Sequence, residues 1–206
     1  MAMELARTAL WIEGFEEGRP LGFLDHHLQC GDALLGLTDL KALEHGIAKD
    51  AYKALSGDDK AACRDLAKRN AAGLKQLGKD LKGLQQGLRF NPQPAALEAL
   101  RAIEAMPADT AEEVAAKEAA YRHLLAGAAN SPLPLAADLA VGAFLLPKTP
   151  DTLPQVPTTE TLHAVLTGAS AAHEPGSTHA QACRAARAAC RAARVFHWPL
   201  AFPQVF

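Results

Sequence analysis

Apolar residues recur every three or four positions over long stretches of the chain, separated by short runs of glycine, proline and charge. That recurrence is the period of a helix with one buried face. A first helix is expected over residues 4–12, ending in Gly14-Phe15-Glu16-Glu17-Gly18-Arg19-Pro20. Phe23-Leu24-Asp25-His26-His27-Leu28-Gln29-Cys30 then leads into Gly31-Asp32-Ala33-Leu34-Leu35-Gly36, where residues 27–30 read as a short strand ending in a Gly-Asp turn. A ligand loop at the carboxyl end of a parallel strand has this form.

From 39 to about 90 the pattern is helical, with Asp58-Asp59 as a helix start after Ser56-Gly57. Cys63, Ala67, Asn70, Leu74, Leu77, Leu81, Leu84 and Leu88 form one stripe that needs a partner helix. Gly73, Gly78, Gly83 and Gly87 interrupt it, each costing about 1 kcal/mol relative to alanine, so packing has to hold this helix. Asn91-Pro92-Gln93-Pro94 stops it. A short helix over 95–106 follows, and then one capped by Asp109 or Thr110, with Glu112 and Glu113 in its first turn, running to about Gly127. These segments predict a long helical hairpin whose seam is the leucine stripe.

An apolar helix is expected over 132–146, a proline-rich surface connection over 147–157, and a short helix capped by Thr158 or Thr159 and ending at Leu166. After a loop over 168–176, an alanine- and arginine-rich helix runs from 178 to 195. The last segment, Phe196-His197-Trp198-Pro199-Leu200-Ala201-Phe202-Pro203-Gln204-Val205-Phe206, reads as extended because of its two X-Pro steps, and as exposing large apolar side chains.

Composition sharpens this picture. The 206 residues are 49% hydrophobic and 21% charged, with a net charge of -2, which excludes a disordered chain and argues against a DNA-coating or membrane-surface protein. Aromatics make up only 5% while alanine is abundant, so the expected fold is mainly α with thin, alanine-lined helix contacts. No apolar run approaches the length of about twenty residues that spans a membrane, and Met1-Ala2-Met3-Glu4 is unlike a signal peptide. A cytoplasmic location without membrane contact is expected. Cys30, Cys63, Cys183 and Cys190 contain no Cys-x-x-Cys pair and read as buried thiols.

Few residues suggest chemistry. His26 and His27, on a strand, point to opposite faces, so at most one enters a site and structural roles are expected for both. His179 and Cys183 stand four apart with Cys190 seven further on, but no remaining ligand has zinc spacing, and no metal is expected. Arg184, Arg187, Arg191 and Arg194 form one basic helical face, open to two readings: contact with DNA phosphates, or a solvated surface. On residue type alone, Asp32 is a turn or cap aspartate.

The two ends nevertheless resemble one family. Glu4-Leu5-Ala6 with Leu10-Trp11, then Pro20-Leu21-Gly22-Phe23-Leu24-Asp25-His26-His27-Leu28, then Cys30-Gly31-Asp32-Ala33-Leu34-Leu35-Gly36, is similar to a block in large bacterial adenine-specific (N6) DNA methyltransferases. These are enzymes of fused restriction-modification systems and of the phage-defence systems BREX and DISARM. The segment 196–206 resembles the stretch that precedes the family's catalytic strand. A middle block, Ala137-Asp138-Leu139 with Ala143-Phe144, is similar too, and the three blocks follow the family's order.

The resemblance implies a Rossmann-like domain that binds S-adenosylmethionine and an Asn/Asp-Pro-Pro-Tyr loop that grips a flipped adenine. It makes Asp32 the residue that holds the cofactor's adenine. The chain contains neither a Gly-x-Gly loop nor Asn-Pro-Pro-Tyr. It therefore implies an internal portion of such an enzyme: residues 1–36 as a remnant of the methyltransferase core (helix, strand, Gly-Asp loop), 37–195 as a helical insertion, and 196–206 as the lead into the catalytic strand. Alone, such a chain is expected to bind the cofactor weakly or not at all and to leave DNA unmethylated. DNA and the remaining methyltransferase segments are the implied partners. Two other readings stay open: a subunit of a split methyltransferase, and an unrelated helical scaffold. A scaffold has no need to bring its two ends together as parallel neighbours.

Overall fold

The computed structural model describes residues 1–83, 94–129, 131–169 and 174–206. It is mainly helical, with α1 Ala2–Glu13, α2 Lys60–Gly83, α3 Pro94–Glu104, α4 Ala111–Ala129, α5 Pro132–Leu145, α6 Thr159–Leu166, α7 Thr178–Ala192 and α8 Trp198–Ala201. No strand occurs among the described residues; a lone parallel bridge pairs Asp32 with Val195.

Local chemistry accounts for four of the helix starts. Asp59 Oδ1 accepts from the Ala62 amide at 2.7 Å, which opens α2 where the Asp58-Asp59 pair predicts it. Thr110 and Glu113 form a capping box: Thr110 Oγ1 accepts from Glu113 N at 3.2 Å, and Glu113 Oε2 accepts from Thr110 N at 3.0 Å. Ser131 and Ser177 cap α5 and α7.

The region 39–59 departs from the expected helix. Leu40–His45 and Lys49–Tyr52 are separate 3-10 turns, divided at Gly46, whose φ is +70°. Their apolar residues have helical spacing because Leu40, Leu43, Ile47 and Ala51 all enter one core. A buried polar knot fixes the break. Asn70 Nδ2 donates to Ile47 O at 2.9 Å, while its Oδ1 accepts from the amide and hydroxyl of Thr159 at 2.9 and 2.7 Å. Thr159 Oγ1 in turn accepts from Ile47 N at 2.9 Å. Each polar atom of the knot is thereby satisfied inside the protein.

The stripe on α2 is shifted from its predicted phase. Cys63, Leu66, Asn70, Gly73 and Leu77 are buried and Ala67 is exposed. Leu84 and Leu88, with Gly87 and Asn91-Pro92-Gln93, lie outside the described residues. The partner of α2 is α6 rather than a long hairpin arm. Gly73 is what permits the approach, since a Cβ there would stand 2.7 Å from Glu160 N. A hairpin does form from α3 and α4, around a small separate core of Leu100, Ile103 and Tyr121 that also takes in Phe23.

The main core joins Leu43, Ile47, Leu66, Leu139, Leu162 and Ala186 with their neighbours. Its most extensive helix pair is α5 with α7, where Gly142 abuts Ala186, so the expectation of thin, small-residue contacts holds. Cys63, Cys183 and Cys190 are buried as expected, while Cys30 is exposed. No single helix among the described residues is long and apolar enough to cross a membrane; α4 and α5 reach that length only as a pair bent by 61°.

Candidate functional site

The two chain ends meet beside α5. Asp32 N donates to Arg194 O at 2.7 Å, Phe196 N to Leu35 O at 2.7 Å, and Trp198 N to Leu37 O at 3.0 Å. Phe196 also lies against Gly31, and Trp198 Nε1 donates to Ala33 O at 3.2 Å. At Gly36, φ is +147° and a Cβ would fall 1.8 Å from Phe196 O, so this crossing requires glycine.

His197 fastens the junction to the helical body. Its Nδ1 accepts the Leu37 amide at 3.2 Å, and its Nε2 faces Asp138 Oδ1 at 3.3 Å. Leu37, just past the first block, and Asp138 of the middle block thus meet at the one imidazole of the last block. Beneath it, Cys190 Sγ donates to Asp138 O at 3.4 Å, and burial pushes its thiol pKa up to about 12. A thiol so hard to ionise is no nucleophile at neutral pH.

Asp32 sits at this junction and is exposed. Its Oδ1 accepts from Leu34 N at 2.9 Å, an Asx turn that orients the carboxylate. That geometry agrees with the turn role and also leaves an acceptor at the edge of the junction. Residues 27–30, in contrast, form no strand: Asp25, His26 and His27 make a turn, in which the His27 and Leu28 amides donate to Leu24 O at 2.9 and 3.1 Å. The end segment is not extended either. Pro199 sits in the first turn of α8, where its missing N–H costs nothing, and Trp198 packs edge-on or tilted against Phe196, Phe202 and Phe206.

The arginines do not share one helical face. α7 ends at Ala192, and Arg194 lies beyond it at φ +54°, the one non-glycine residue with positive φ among those described. Arg184, Arg187 and Arg191 stay on the exposed side of α7, and none of the four enters an ion pair among the described residues. Cys183 and Cys190 are buried, Cys190 Sγ lies on Asp138 of α5, and His179 Nδ1 lies 3.1 Å from Thr161 Oγ1.

Elsewhere, candidate metal ligands come together. Because Asp25–His27 is a turn, the rings of His26 and His27 lie 3.8 Å apart instead of on opposite faces. With Glu104, at the end of α3, they place three ligand atoms within 4.8 Å of one another. Nothing in the sequence joins Glu104 to the histidines, which are separated from it by more than half of the region before α4. Burial, helped by the neighbouring His27, holds the His26 pKa below its usual value.

Next to His26 opens an apolar cavity of about 180 Å³ between the hairpin and α8, lined by Leu100, Tyr121, Leu124, Leu133 and Leu200 among others. No protein-family model, curated protein or solved structure was found to match the chain.

Proposed function

We propose that the chain is part of an S-adenosylmethionine-dependent DNA adenine-N6 methyltransferase of the restriction-modification or phage-defence type. Residues 1–36 and 196–206 then belong to its Rossmann-like core and 37–195 to a helical insertion. One observation supports this reading above others. The Gly-Asp loop of the first block meets the start of the last one, far apart in sequence: a lone parallel bridge joins Asp32 to Val195, one residue before the last block, and Phe196 N donates to Leu35 O. Parallel neighbours from distant segments are what a Rossmann-like sheet needs, and a helical scaffold does not.

In this reading Asp32 accepts a hydrogen bond from the cofactor's adenine. Arg184, Arg187 and Arg191 contact DNA phosphates, since three guanidinium groups along one helix side that enter no ion pair among the described residues can track a backbone. The chain alone supplies neither a sulfonium-binding loop nor acceptors for the target amine, so it does not methylate. A split-subunit form is favoured by the exposure of Leu34 (94%) and Val205 (70%) on the two end blocks, apolar surface that an associating segment would cover. The test is methyl transfer to DNA by the chain together with the segments encoded beside it.

A further inference from the structure

Burying an imidazole is tolerated when its nitrogens find partners, because an unpaired polar group inside a protein forfeits its hydration for nothing. His26 violates that rule. It is 5% exposed, packs face to face on Phe23 with centroids 5.2 Å apart, and meets the edge of Tyr121. Its Nδ1 is wholly shielded and has no hydrogen-bond partner among the described residues. Two neighbours carry atoms able to ligate a metal. The His27 ring lies 3.8 Å away, and the Glu104 carboxylate is within reach and enters no salt bridge among the described residues.

We propose that His26, His27 and Glu104 bind a divalent transition-metal ion of the zinc class, which ties the Asp25–His27 turn to the end of α3. Two imidazoles and a carboxylate suit a borderline cation better than a hard one such as magnesium. Three protein ligands leave a fourth position for water. Tetrahedral zinc at about 2.0 Å from each ligand sets ligand atoms about 3.3 Å apart, so closing from 4.8 Å or less takes a shift of at most about 1.5 Å. The exposed His27 and the terminal Glu104 can make that shift by rotation, while His26 is already fixed by Phe23 and Tyr121. The ammonium of Lys117 already occupies the carbonyls at the end of α3, binding Glu104 O at 2.9 Å and Met106 O at 3.3 Å, and its charge is one the ion's ligands have to outweigh. Lys117 uses the carbonyls and leaves the carboxylate oxygens for the ion. The proposal does not depend on the methyltransferase reading and would stand if that failed.

The test is titration of the chelator-stripped full chain with zinc chloride by calorimetry, and with cobalt(II) by visible absorption, which reports tetrahedral nitrogen and oxygen ligation. One equivalent at micromolar affinity is expected, weakened at least about tenfold in His27→Ala and in Glu104→Gln. Both sites are at the rim, so unchanged metal-free melting curves will certify that these variants fold. Absence of saturable binding overturns the proposal. Binding that survives in both variants also overturns it, because the ion is then held elsewhere.

Discussion

His197 Nε2 lies 3.3 Å from Asp138 Oδ1, while its Nδ1 receives the Leu37 amide. The amide can only donate, so Nδ1 is the bare nitrogen and Nε2 carries the proton toward the carboxylate. One ring thereby couples α5, Leu37 just after the Gly-Asp loop, and the end segment. His197→Ala leaves both partners unpaired in a half-buried setting and is expected to cost about 1–3 kcal/mol in urea unfolding. A double-mutant cycle with Asp138→Ala should return a coupling of at least about 0.5 kcal/mol, and additivity would refute the link.

Acid sensitivity should centre on Asp58. Its carboxylate accepts the Lys148 amide at 2.9 Å and the Leu55 amide at 3.0 Å, and the Lys148 bond is the main reason its pKa is lowered. A lowered folded-state pKa means that the unfolded chain binds the proton more readily. The stabilisation is therefore present above the unfolded pKa and disappears as pH falls through the folded one. Asp58→Asn should flatten the fall in stability below about pH 4, the ordinary aspartate range. An identical pH profile in the variant would remove Asp58 from the account.

The crossing of the two ends makes opposite demands at two positions. Gly36→Ala forces a Cβ onto Phe196 O, so the end segment should detach; in a Trp11→Phe background this appears as a red shift of Trp198 emission. Arg194→Gly relieves a left-handed backbone and should raise stability by about 1 kcal/mol with emission unchanged. Unshifted emission in Gly36→Ala would mean that the junction is not formed as described.

On a labelled DNA duplex, replacing Arg184, Arg187 or Arg191 by Gln should each lower the salt-dependence slope of binding by about 1, uniformly across sequences. Arg194→Gln should matter less, since Arg194 lies off the helix. Equal, unaltered slopes would favour a solvated face.

Much of this was legible in the chain because local signals suffice for it. Asp59, Thr110 with Glu113, Ser131 and Ser177 cap their helices through bonds to residues two or three positions away. The failures share a long-range cause. Ile47 reads as a helical core residue, yet Asn70 and Thr159 capture its backbone from far along the chain. The α2 stripe misses its phase because Gly73, read as a weakness, is the contact with α6. Pro199, read as forcing extension, starts a helical turn. At the candidate sites, Asp32 and the arginines stand out by residue type, but the pairing of His26 and His27 depends on a turn that the strand reading excluded, and Glu104 carries no local mark at all.

The central claim is tested most directly by measuring transfer of a tritiated methyl group from S-adenosylmethionine to duplex DNA, using this chain, the polypeptides encoded immediately on either side of it, and all of them together. The account predicts no transfer by this chain alone, N6-methyladenine from the combination, and loss of that activity with Asp32→Ala. Flanking sequences without a Gly-x-Gly loop and an Asn-Pro-Pro-Tyr segment, or a combination that stays inactive, would contradict it.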